Sequence, residues 1–285
     1  MSARDNRKGS NKGMDAPIGI FDSGVGGLTV AREIFRLLPN EDVVYFGDVG
    51  RTPYGGRSRE IISKFTAQDV AFLIEHKVKF IICACNSASA VALDDVAKLH
   101  EIKMVGVIRP GAEAAIERTR NGRIGVIGTS ATINSDAYAR IIHSANSELK
   151  VFSLACPLFV PLAEEGYIDK EATRLIARDY LRSMQEVGID TLILGCTHYP
   201  LLKQVIAEVM GNGVTLIDSG EETARVTCRM LTDDSLLHSR TSQPSSAEGS
   251  HRFYVSDIPE KFSQVATRFL GKTPETITRV NVSGY

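Results

Sequence analysis

Short, almost uninterrupted apolar runs recur along this chain, and stretches of helix length separate them. The runs are Ile18–Phe21, Val43–Phe46, Phe80–Cys83, Met104–Val107, Ile124–Ile127, Val151–Leu154, Thr191–Leu194 and Val214–Ile217. Between them lie segments such as Ser58–His76 and Lys170–Val187, whose apolar residues follow a helical period. A strand with one wet face alternates polar and apolar residues, whereas one apolar at every position is covered on both faces. Strands of that kind alternating with helices predict an α/β chain with mainly parallel sheets. The stripe Phe72, Leu73 and Ile74 reads as the core side of its helix.

The pattern repeats weakly. Ile18-Gly19-Ile20-Phe21-Asp22-Ser23-Gly24 resembles Ile124-Gly125-Val126-Ile127-Gly128-Thr129-Ser130. Lys79 to Ser87 resembles Asp190 to His198, with Cys85 matched to Cys196. Ile124 lies 106 positions beyond Ile18, and Cys196 lies 111 beyond Cys85. Similar spacings in separate pairs predict two related α/β halves.

Charge and composition exclude several classes. Lys plus Arg is 33 and Asp plus Glu is 34, a net charge of -1 without a basic block. Such a chain is a poor candidate for nucleic acid. Residues 1–16 read as a flexible polar tail with no signal peptide, and no apolar run reaches membrane-span length. His238–His251, rich in Ser, reads as a long surface loop. The five cysteines are scattered and odd in number, which points to free thiols in a reducing cytoplasm.

Cys85 and Cys196 each end an apolar strand, after a small residue and before a small polar pair. The carboxyl end of a parallel strand, facing the start of the next helix, is where such sheets bind ligands. The exposed N–H groups there are expected to lower a thiol's pKa. Cys83, Cys156 and Cys228 read instead as packing residues. Two thiols facing one carbon suit inversion by two bases: one takes a proton from one face, the other returns one to the opposite face.

Polar neighbours could assist. Asp22 and Ser23 precede Gly24-Val25-Gly26-Gly27, which is no dinucleotide fingerprint because Thr29 stands where a third glycine is needed. Asp22 reads equally as a helix cap and as a group that orients or deprotonates Cys85 or holds an ammonium. His198, two residues past Cys196, could share a proton with that thiol. The remaining histidines, His76, His100, His143, His238 and His251, read as surface residues. Gly47–Arg57 and Pro157–Gly166 follow strands and are candidate pocket walls. A zinc site from Cys83, Cys85, Cys196 and His198 lacks the usual ligand spacing. A Cys-His hydrolase would leave one cysteine turn unexplained.

Six motifs in order carry a family resemblance: IGIFDSGVGG at 18–27, YFGD at 45–48, PYG at 53–55, CNSASA at 85–90, PLFVPLAEEG at 157–166 and GCTHYPLL at 195–202. Together they resemble the glutamate racemases, the cofactor-independent branch of the aspartate/glutamate racemase family, over about residues 17–232. The resemblance implies two pseudo-symmetric three-layer α/β/α domains with the active site between them. The first would comprise residues 17–108 plus 218–285, the second 109–217. It implies Cys85 and Cys196 as acid and base, assisted by Asp22 and His198, with Glu164 rather than Glu165 from the 157–166 loop. Implied substrate contacts are Asp22, Ser23, Tyr54, Gly55, Asn86, Ser87, Thr197 and His198.

The implied activity is L- to D-glutamate interconversion for bacterial peptidoglycan synthesis, in the cytoplasm, without metal or cofactor. Small-molecule glutamate is the implied partner, and a homodimer is compatible with the family. Two departures stand out: Ser87 replaces the usual Thr, and Arg109 replaces an acidic residue. Rival readings are an aspartate racemase, a non-catalytic small-ligand binding protein, and the hydrolase.

Overall fold

All eight apolar runs form strands in the computed structural model, which describes residues 13–242, 248–282 and 284–285. They are β1 (Ile18–Asp22), β2 (Val43–Gly47), β3 (Phe80–Cys83), β4 (Met104–Gly106), β5 (Arg123–Gly128), β6 (Lys150–Ala155), β7 (Thr191–Gly195) and β8 (Thr215–Asp218). Two more, β9 (His251–Val255) and β10 (Ile277–Arg279), escaped the sequence reading. Neither has a continuous apolar run; β9 mixes buried and exposed positions, and β10 is mostly exposed. All pairings are parallel, in sheets ordered β10-β9-β2-β1-β3-β4 and β6-β5-β7-β8.

The internal repeat is visible in this topology. The order β2-β1-β3-β4 matches β6-β5-β7-β8 strand for strand. Register matches as well: Phe21 lies beside Cys83, and Ile127 beside Leu194. Cys85 and Cys196 therefore each stand two residues beyond equivalent positions. The winding direction reverses between β1 and β3, and again between β5 and β7. At such a reversal the connections lead to opposite faces, which opens a crevice at the strands' carboxyl ends.

The helices are α1 (Leu28–Leu37), α2 (Arg59–Glu75), α3 (Asn86–Val91), α4 (Leu93–Ala97), α5 (Ile108–Arg118), α6 (Ser130–Asn134), α7 (Ala137–Ala145), α8 (Phe159–Glu164), α9 (Glu171–Glu186), α10 (Lys203–Met210), α11 (Ser219–Asp233) and α12 (Pro259–Leu270). The Ser58 hydroxyl caps α2 by accepting from Ile61 N–H. Side chains alternate across each sheet. Ile18 and Ile20 join Leu28, Ala224 and Phe262 on one face, while Phe21 joins Phe72, Leu73 and Ala88 on the other. In the second sheet Ile127 packs with Ala177 and Val205, and Val126 with Ala112 and Ile142. Each sheet is thus the middle of three layers.

Several expectations need correction. Met14 and Asp15 are anchored rather than loose: Lys79 Nζ donates to the Met14 carbonyl, and Ser239 N–H to Asp15. Residues 1–12 of the expected tail lie outside the described residues. His238 is buried, not superficial, because Asp15, Glu41 and Asp42 surround it; its N–H donates to Glu41 at 2.7 Å. Ser239–Ser242 then forms a 3-10 turn, while residues 243–247 of the expected loop are not described. His251 opens β9 and stacks on Phe35 at 3.6 Å. The contacts of Asp15, His238 and His251 join residues some two hundred positions apart, so no local pattern announces them. Arg109 lies exposed on α5 and reaches Glu113 one turn along at 3.8 Å. Among the described residues no helix is long and apolar enough to cross a membrane.

Candidate active site

β1 delivers Asp22 to its carboxyl end, where the chain turns sharply into α1. Asp22 Oδ2 accepts from Gly24 N–H at 2.9 Å, so one oxygen caps the glycine turn. The other, Oδ1, is buried without a hydrogen-bond partner among the described residues. Burial raises this carboxyl's pKa, against the pull of nearby His198 and the turn's N–H groups. The glycines serve close approach. A Cβ on Gly27 would lie 2.5 Å from Asp22 Cβ, and one on Gly26 would lie 2.5 Å from His198 Nδ1. The first half's glycine turn therefore rests directly on the second half's cysteine turn.

Cys85 follows β3 and caps α3, with its Sγ 3.4 Å from Ser23 Oγ. Only 4% of the residue is exposed, and burial together with the Asp22 charge pushes its thiol up to about 12. This reverses the expected lowering. Desolvation and a neighbouring carboxylate outweigh the local N–H groups. Asn86 directs Nδ2 to Tyr138 Oη at 3.0 Å and Ser219 Oγ at 3.4 Å, and its buried Oδ1 has no partner among the described residues. Ser87 Oγ meets Thr129 Oγ1 at 3.0 Å, and Thr129 continues to Thr132 at 3.1 Å.

On the opposite turn, Cys196 Sγ lies 3.8 Å from His198 Nδ1, and His198 Nε2 lies 2.9 Å from Glu164 Oε1. Burial alone would lower the imidazole's pKa, but its bonds to Cys196 and Glu164 prevail and hold it at about 10. At neutral pH a charged imidazolium then stands between sulfur and carboxylate. Thr197 extends its carbonyl to Thr29 Oγ1 at 3.0 Å, another contact between the two halves. Glu165 is the cap residue ending α8.

The structure thus gathers Asp22, Ser23, Cys85, Asn86 and Ser87 with Glu164, Cys196, Thr197 and His198. Tyr54 stands apart. Its ring is fully buried and its hydroxyl is hydrogen-bonded with the Asp48 and Asp69 carboxyls, so only its backbone remains available. Gly55 abuts Thr129, where a Cβ would come within 2.7 Å of the threonine Cβ. A cavity of about 140 Å³ beside this cluster is lined by Gly24, Thr52, Glu164 and Phe262, among others.

Sequence reasoning missed Thr129, Tyr138, Ser219, Arg268 and Phe269. Phe269 of α12 meets the His198 ring edge-on at 5.2 Å, and Arg268 donates to the Glu164 carbonyl. Thr129 could have been found, because the repeat aligns it with Ser23. The others carry no local signal. All five cysteines are free thiols, and no group of three or more His, Cys, Asp and Glu among the described residues is arranged to hold a metal ion.

The chain is similar in sequence and fold to known proteins. The Asp/Glu/hydantoin racemase family profile matches residues 46–227. The chain is 52% identical over 254 residues to the glutamate racemase of Geobacter metallireducens, covering 89% of this chain and 92% of that protein. It is 47% identical over 273 residues to glutamate racemase of Neisseria meningitidis serogroup A, covering 95% and 99% respectively. The crystal structure of Francisella tularensis glutamate racemase in complex with D-glutamate superposes with a TM-score of 0.88 at 41% identity, covering 95% of this chain and 100% of that one.

Proposed function

The chain belongs to the Asp/Glu/hydantoin racemase family, and we propose that its cleft interconverts L- and D-glutamate by a 1,1-proton transfer between two cysteines. The observation that carries the reading is the duplicated turn, which presents Cys85 and Cys196 at equivalent strand ends around one cluster of polar groups. One thiolate removes the α-proton, the planar carbanion persists briefly, and the opposite thiol protonates the other face. Roles exchange for the other enantiomer. In the free enzyme burial and the Asp22 charge keep the proton on Cys85, which serves as the acid, while Cys196, 3.8 Å from His198 Nδ1, serves as the base. Asp22 attends Cys85, and Glu164 holds His198 on the other side.

Substrate orientation follows from unmet hydrogen bonds. Among the described residues Asp22 Oδ1 and Asn86 Oδ1 are buried acceptors without donors, which suits an ammonium. The hydroxyls of Ser23, Ser87, Thr129 and Thr197, with the backbone of Tyr54 and Gly55, suit the carboxylates. An amino acid's α-proton is very weakly acidic, so enclosure, proximity and aimed donors must supply most of the stabilisation. In this reading residues 17–108 plus 218–285 form the Cys85 domain and 109–217 the Cys196 domain. The enzyme would act in the cytoplasm, where both thiols stay reduced, and supply D-glutamate for peptidoglycan.

Incubation with L-glutamate in heavy water tests the reading. Solvent deuterium should enter at Cα as D-glutamate forms. Cys85→Ser and Cys196→Ser should each slow racemisation by about 10²–10⁴. Wild-type rates in both variants would end the two-cysteine reading. Binding without exchange would favour a ligand-binding protein, an acyl-enzyme a hydrolase, and faster turnover of D-aspartate an aspartate racemase.

A further inference from the structure

We propose that Tyr138 and Ser219 are positioning residues that fix the Asn86 amide with its oxygen toward the substrate ammonium, so that the cleft selects an amino acid over the matching hydroxy acid. The inference rests on the reading above and adds residues that it does not use. An amide side chain is almost symmetric in shape, so packing alone does not decide which end faces the ligand; hydrogen bonds decide. Asn86 Nδ2 has two hydrogens and two acceptors, Tyr138 Oη at 3.0 Å and Ser219 Oγ at 3.4 Å. Ser219 directs its own proton to the Leu194 carbonyl at 3.1 Å, so its oxygen presents lone pairs to Asn86. Both amide hydrogens are thereby committed, and Oδ1 is left as a buried acceptor without a donor among the described residues.

The phenol is held in place. Tyr138 is 2% exposed, and a Cβ on Gly195 would lie 3.1 Å from its Cε2, while one on Gly111 would lie 3.3 Å from its Cε1. The ring is packed closely against both backbones. Ser219 is the first residue of α11, whose start is fixed by Asp218 accepting from Gly220 and Glu221 N–H. The relay therefore runs from the Leu194 carbonyl, two residues before Cys196, through Ser219 to the amide next to Cys85, with Tyr138 bracing it.

Selectivity follows from counting donors. An ammonium brings three hydrogens and can satisfy both Asp22 Oδ1 and Asn86 Oδ1. A hydroxyl brings one hydrogen and sets a lone pair against the second acceptor. If the Tyr138 or Ser219 hydroxyl is removed, the Asn86 amide can turn its NH₂ toward the ligand and meet that lone pair.

Calorimetric binding of D-glutamate and D-2-hydroxyglutarate to the wild type, Tyr138→Phe and Ser219→Ala tests the relay. The wild type should prefer glutamate, and each variant should lower that preference about tenfold, mainly by weakening glutamate. Ser219→Thr keeps the hydroxyl and should keep the preference. A ratio within twofold of wild type in both variants overturns the proposal, and so does equal weakening of both ligands, which a merely structural role would give. Deuterium exchange at Cα tests the two-cysteine reading separately: an exchanging enzyme with unchanged ratios refutes the relay alone. A wild type that binds neither ligand refutes both.

Discussion

Gly26 is a point of close approach between the two halves, and Gly26→Ala turns that contact into a measurement. An added Cβ would stand 2.5 Å from His198 Nδ1 and 2.6 Å from its Cε1, and nearer still to Thr197 Oγ1. Ordinary contact needs roughly 3.5 Å, so the halves must separate locally by about 1 Å. Neither neighbour yields easily. His198 is held by Cys196 and Glu164, and the Thr197 carbonyl by Thr29. A shift of about 1 Å between reacting groups can cost about 10² in rate, and overpacking of this kind costs about 1–3 kcal/mol in stability. The expected outcome is a kcat for D- to L-glutamate conversion lowered about 100-fold, read by circular dichroism of glutamate, with the protein still folded at 25 °C. Gly56→Ala is the control, since nothing lies within 4 Å of its added Cβ. A Gly26→Ala enzyme with kcat within threefold of wild type would show that the contact is not needed for chemistry.

Glu164→Gln removes one of the groups that hold His198 at about 10, so the imidazolium should lose its proton at lower pH. The alkaline limb of kcat/KM should then move to lower pH, and a limb that stays put refutes the assignment. Burial and the Asp48 charge push the Asp69 carboxyl well above the usual range, against the pull of Arg51, which favours a neutral form that an amide can imitate. Asp69→Asn should cost about 1 kcal/mol in urea unfolding, whereas Arg51→Ala, which strips the cation from buried Asp48 at 2.6 Å, should cost about 3–5 kcal/mol. The reverse order would contradict this proton placement. Phe269→Ala removes a fully buried ring from beside His198 and should cost about 3–5 kcal/mol in the same assay. Its kcat should fall further than that of Phe269→Leu; equal values would mean that the ring only fills space.

Local pattern and topology divide the information about this protein. Strands β1, β2, β3 and β7 were legible because burial on both faces leaves few polar positions to interrupt the run, while β4, β6 and β8 carry apolar runs although they are only partly buried. Cys85, Cys196, Asp22 and His198 were legible because each lies at or just beyond a strand's carboxyl end, and strand ends of parallel sheets are where ligands bind. The C-terminal part was not, since β9 and the edge strand β10 have partly exposed residues that carry no such signature. The direction of the Cys85 pKa was misread for a related reason: a helix start can be seen in sequence, but the burial and the Asp22 charge that overrule it come from other strands.

What the chain determined by itself is the alternation of buried strands and helices, the repeat, and the residue types at the strand ends. Each of these is periodic or local, so neighbouring residues are enough to express it. Only the folded molecule decided which groups meet. Phe269 reaches His198, Tyr138 reaches Asn86, and the Gly26 turn reaches Thr197 because parallel sheets bring together segments from distant parts of the chain. No local window of sequence contains both partners of such a contact.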